Sequence, residues 1–68
     1  LLGEAISRFL QTQPKQNRII FLRRYWYADS VEQAARHMGW SVSKAKTVLF
    51  RMRLKLKDYL KGENLYDE

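Results

Sequence analysis

The chain has 68 residues, no cysteine, and 13 Lys and Arg against 7 Asp and Glu, a formal net charge of +6. That length holds one domain with a small core, since a chain of this size leaves about 40% of its unfolded surface exposed, and the missing thiols exclude disulfides and Cys-based zinc sites. No apolar run exceeds residues 19–22, too short for a membrane span or the apolar region of a signal peptide, so a cytoplasmic protein with an affinity for polyanions is expected.

The first helix is predicted over residues 2–10, where Leu2, Ala5, Ile6, Phe9 and Leu10 recur at helical spacing and Glu4 can pair with Arg8 one turn on. The chain opens inside this pattern on Leu1, so it reads as a piece of a longer protein. Residues 11–13 are a polar break, and Pro14 suits the first turn of a second helix that runs to about Tyr27. Ile19, Ile20, Phe21, Leu22, Tyr25 and Trp26 spread apolar surface around much of that helix, which predicts a central element enclosed by its neighbours. Ala28 and Asp29 form a short connection. Ser30 is then an N-cap, with Gln33 placed to complete a capping box, and Ala34, Ala35 and Met38 make the apolar stripe of a third helix.

Gly39 stands where the chain must leave that helix, and glycine enters the left-handed region there without steric cost. Trp40 follows as a plug for the angle between two helices, and Ser41 caps a fourth helix extending to about Lys61. Its buried face is carried by Ala45, Val48, Leu49, Met52, Leu56, Tyr59 and Leu60. Gly62 is expected to end it and residues 63–68 to fray. The whole is a single all-α domain over residues 1–68, a small four-helix fold in which residues 30–53 form a helix-turn-helix.

The second helix of that unit is strongly basic. Lys44, Lys46, Arg51, Arg53, Lys55, Lys57 and Lys61 lie in it or at its end, against the single acid Asp58. A run of one sign is poorly explained by solubility and fits a nucleic-acid footprint. Catalytic chemistry is not legible. His37 is the lone histidine, on a short helix beside Arg36. Glu32 is placed to pair with Arg36 rather than to act as an acid, and Gly3, Gly39 and Gly62 are too far apart for a phosphate loop. The chain therefore reads as a binding module, not an enzyme, with no cofactor and no metal.

The run of Pro14, Arg18, Ile20, Phe21, Leu22, Arg24, Tyr25 and Trp26, followed by Ser30, Ala35, Gly39, Ser41, Lys46, Leu49, Arg51 and Leu56, resembles region 4 of bacterial RNA polymerase sigma factors. The likeness is strongest to the extracytoplasmic-function group and covers nearly the whole chain. There are departures. Gln13 stands where the family commonly has leucine, residues 33–35 read Gln-Ala-Ala in place of Glu-Ile-Ala, and Ala45 replaces a valine or isoleucine. Ala34 and Ala45 thin the junction between the two helices, so Met38, Trp40 and Phe50 are expected to fill it.

The resemblance implies promoter DNA as the partner, with the last helix in the major groove of the −35 element and the preceding helix across the backbone. Carried over by position, Val42, Ser43, Lys46 and Thr47 lie nearest the base edges. Lys44, Lys46, Arg51 and Arg24 grip phosphates, as does the helix start from Ser30 through Val31 to Glu32 by its backbone amides, and Ser41 is counted among the DNA-binding residues. It further implies a nucleoid-associated monomer whose first two helices receive the β-subunit flap of the RNA polymerase core, with an anti-sigma factor competing for overlapping surface. Ile19, Phe50 and Leu54 are candidates for that contact. Two readings stay open beside this one: the output domain of a response regulator, with a dimerising last helix, and a helix-turn-helix kept as a protein-docking module.

Overall fold

The computed structural model describes residues 2–64, which form four helices without a strand: α1 (Leu2–Gln11), α2 (Lys15–Tyr25), α3 (Val31–Met38) and α4 (Val42–Gly62). The all-α four-helix architecture read from periodicity is the architecture found. Boundaries moved by one or two residues. Pro14 is the N-cap of α2 rather than part of its first turn, and its carbonyl accepts the first helical bond from the Arg18 N–H at 3.0 Å. Gly62 remains helical; the left-handed residue that follows α4 is Asn64, at φ 60°. Of the tail expected to fray, Glu63 forms an exposed ion pair with Arg8 (2.8 Å), and residues 65–68 lie outside the described residues.

Two adjoining apolar clusters hold the helices together. In the first, Ile20 of α2, Ala34 and Ala35 of α3, and Ala45 and Leu49 of α4 are buried, framed by Val31, Met38, Trp40 and Val48. In the second, Phe9 and Leu10 of α1 meet Phe21 of α2 and Met52 of α4, with Ile6, Leu22, Leu56 and Tyr59 around them. Consecutive helical residues point about 100° apart, so Ile20 feeds one cluster and Phe21 the other. Val48 packs against both. Truncating a fully buried side chain such as Ile20, Leu49 or Met52 to alanine costs about 2–5 kcal/mol, a large share of what a domain of this size possesses.

Two expectations about the core are corrected. The apolar girdle of α2 is not enclosed: only Ile20 and Phe21 are buried, while Tyr25, Trp26 and Tyr27 lie open to solvent, Trp26 at 78% exposure. No helix covers that side, because α1 rests on α4, where the Phe9 and Tyr59 rings sit 5.6 Å apart. Phe50 does not fill the α3–α4 junction either. It points outward at 54% exposure, and Ile20 from α2 supplies the volume instead, together with Met38 and Trp40.

Candidate nucleic-acid interface

The geometry begins with the two caps that start α3 and α4. At Ser30 the capping box is complete: the hydroxyl accepts from the Gln33 N–H at 3.0 Å, and the Ser30 N–H donates to the Gln33 side-chain oxygen at 2.8 Å. The Ser30 amide is thereby committed internally. The free amides of this helix start are those of Val31 and Glu32, which no helical carbonyl reaches. At Ser41 the hydroxyl accepts from the Lys44 N–H at 3.1 Å, which leaves the amides of Val42 and Ser43 as the open donors of α4.

Between the caps, Gly39 sits at φ 70° and closes α3 with a Schellman motif. The Trp40 N–H donates to the Ala35 carbonyl at 2.9 Å and the Gly39 N–H to the Arg36 carbonyl at 3.2 Å. This compact reversal brings Ala35 of α3 and Ala45 of α4, both buried, into one apolar cluster. Burial of Ala45 and Leu49 turns the opposite face of α4 outward. Val42, Ser43, Lys46 and Thr47 are exposed on its first turns and Arg51 farther along. Lys44 folds back, its ammonium 4.4 Å from the Trp40 ring centroid, where cation–π attraction holds it beside the turn.

Arg24 comes from α2. It is half-buried, donates to the Asp29 carbonyl at 3.4 Å and lies 5.6 Å from the Tyr25 ring centroid. The residues singled out in the sequence thus fall on the start of α3, the Gly39 turn, the outer face of α4 and the end of α2. His37 is exposed on α3. α4 carries seven cations against one acid. Among the described residues no side chains are grouped to hold a metal ion, no polar side chain is buried, and no helix is long and apolar enough to cross a membrane.

Two features carry no role in the sequence reading. An open cleft of about 430 Å³ separates α1 from α2, lined mainly by Ile6, Leu10, Leu22, Trp26 and Tyr27. Phe50 and Leu54 are half exposed on α4, and neither lines it; Ile19, partly buried on α2, does not either. The second feature is a bond across 28 residues of sequence, from the Arg53 guanidinium to the Tyr25 hydroxyl at 2.6 Å. Local pattern holds no signal for such a pairing. A family model described as sigma-70, region 4 matches residues 3–56. Comparison with curated proteins and with solved structures gives no match.

Proposed function

The chain belongs to the sigma-70 region 4 family, helical DNA-binding domains of transcription initiation, and from that premise we propose that it reads the promoter −35 element through α4. The observation that carries the reading is the capped turn at Gly39, which presents the uncovered face of α4, with Val42, Ser43, Lys46 and Thr47 on its first turns. A helix-turn-helix sets the start of its second helix in the major groove and its first helix across the backbone. Thr47 and Ser43 then meet base edges and Val42 a thymine methyl, which gives modest direct readout. Lys44, Lys46, Arg51 and Arg24 engage phosphates, joined by the amides of Val31, Glu32, Val42 and Ser43. The capping box keeps the Ser30 N–H for its own helix.

The apolar cleft between α1 and α2 is our assignment for the flap of the RNA polymerase β subunit, and an anti-sigma factor would compete there. Its lining is mostly apolar and includes the exposed Trp26, with Ser7, Gln11 and Arg18 as its polar members, the composition of a protein-docking surface.

The test is selection from duplexes carrying a randomised hexamer, followed by anisotropy titrations of the selected and a scrambled duplex. Lys46→Ala and Arg51→Ala are expected to weaken both duplexes alike and to shrink the salt slope by about 0.9 each. Ser43→Ala and Thr47→Ala are expected to change the selected hexamer at a cost of about 1 kcal/mol per position. Binding that stays flat between about 50 and 200 mM salt would remove the DNA reading in favour of protein docking.

A further inference from the structure

We propose that Arg53 and Arg24, braced by the Tyr25 phenol, form a phosphate clamp on the α2–α4 edge that extends the DNA contact beyond the first turns of α4. The proposal rests on the DNA reading above and deepens it. Lys46, Phe50 and Arg53 follow one another at i, i+4 and i+7, so they share one line along the helix. A recognition helix meets base edges with its N-terminal residues, and Arg53 stands about 10 Å farther along the axis than Lys46, beyond those first turns and toward the flanking phosphates.

The electrostatics fit an anion. Arg53 donates one N–H to the Tyr25 hydroxyl at 2.6 Å, and Arg24 lies over the same ring, 5.6 Å from its centroid. Two guanidiniums therefore converge on one phenol. Among the described residues neither is in an ion pair with a carboxylate. The nearby Asp29 carboxylate is taken by Arg23 at 2.8 Å and offers Arg24 only its backbone carbonyl. A phenol orients a guanidinium without neutralising it, and a guanidinium bonded once keeps four further donors in a fork that matches phosphate oxygens. The Tyr25 ring is itself steadied by Phe21, 4.9 Å away. Tyr25 is thus a positioning residue that sets Arg53 before the DNA arrives, which lowers the ordering cost of the contact.

Anisotropy titration of the 68-residue chain against the selected and scrambled duplexes, over a series of KCl concentrations, tests this. Arg53→Ala is expected to weaken both duplexes about five- to tenfold near 0.1 M salt and to shrink the log–log salt slope by about 0.9. Arg53→Lys is expected to keep the slope. Tyr25→Phe keeps the ring and all charges, so it is expected to lower affinity about two- to threefold with the slope unchanged. In the Arg53→Ala background it is expected to cost nothing more, because the two act as one unit. If circular dichroism shows that Arg53→Ala unfolds, Arg53→Gln replaces it, keeping the stem and a donor for the phenol while removing the charge. A slope unaltered by Arg53→Ala or Arg53→Gln but reduced by Lys46→Ala overturns the clamp and leaves the DNA reading standing. A flat slope in the unsubstituted chain overturns both, and additive losses for Tyr25→Phe and Arg53→Ala remove Tyr25 from the clamp.

Discussion

Ala28 and Gly39 occupy the same left-handed region, at φ 61° and 70°, and together they isolate what a side chain costs there. Each follows a helix that ends by wrapping its last amides back. After α2 the wrap is wide, with the Tyr27 N–H bonded to the Leu22 carbonyl (3.0 Å) and the Asp29 N–H to the Arg23 carbonyl (2.9 Å). After α3 it is the tighter Schellman form. A Cβ disfavours the left-handed conformation by about 1–2 kcal/mol, partly offset by the greater backbone freedom that glycine loses on folding. Ala28→Gly is therefore expected to stabilise by about 0.5–1 kcal/mol and Gly39→Ala to destabilise by about 1 kcal/mol. A Cβ at Gly39 would meet nothing within 4 Å, so its penalty is purely conformational. For a domain of this size each kcal/mol moves Tm by roughly 4–8 °C, and thermal melts of the two variants should shift in opposite directions.

At the scale of the elements, what was legible in the sequence is what is local. Ser30, Gln33, Gly39 and Ser41 announce helix starts and stops because their partners lie three to five residues away. The buried face of α4 was legible for the same reason, since seven apolar positions repeat at one period. The environment of α2 was not. Periodicity counts apolar residues around a helix, but it does not tell which sides a neighbour will cover, and α1 rests on α4 so that an open cleft stays between it and Trp26. The α3–α4 junction shows the same limit. Ala34 and Ala45 lack the methyl groups common in the family, yet both are fully buried, because Ile20 arrives from α2 to fill the space. Restoring bulk by Ala45→Val is thus expected to overpack the crossing and cost about 1–3 kcal/mol, although the family pattern favours a branched residue there. A urea titration measures it, and a gain in stability would mean that the junction holds a void.

For the molecule as a whole, the arrangement of helices sets out two surfaces that adjoin at the end of α2, where Tyr25 braces Arg53 and also borders the cleft beside Trp26. α2, α3 and α4 pack around Ile20 and Leu49 as the DNA-reading unit we propose, and α1 is attached to α4 through Phe9, Tyr59 and the Arg8–Glu63 pair. That exposed pair guides rather than holds, as surface ion pairs contribute little. Arg8 nonetheless keeps the Glu63 carboxyl below its ordinary value, chiefly by hydrogen bonding, so the contact is present at neutral pH and is lost only as pH falls through that lowered pKa. Because α1 leans on α4, its flank toward α2 stays open as the cleft under Trp26, and no residue of α3 or α4 lines it. A partner seated there leaves the outer face of α4 free, which is what simultaneous engagement of promoter and polymerase requires. Trp26 is mostly outside the core, so Trp26→Ala should leave the melting temperature and the DNA salt slope close to those of the unsubstituted chain. Buried anchor aromatics in interfaces carry about 2 kcal/mol or more. The same variant is thus expected to retain RNA polymerase core at least about thirtyfold less tightly in surface plasmon resonance. Equal loss of DNA and polymerase binding would show one shared surface, and unchanged polymerase retention would move the docking site away from the cleft.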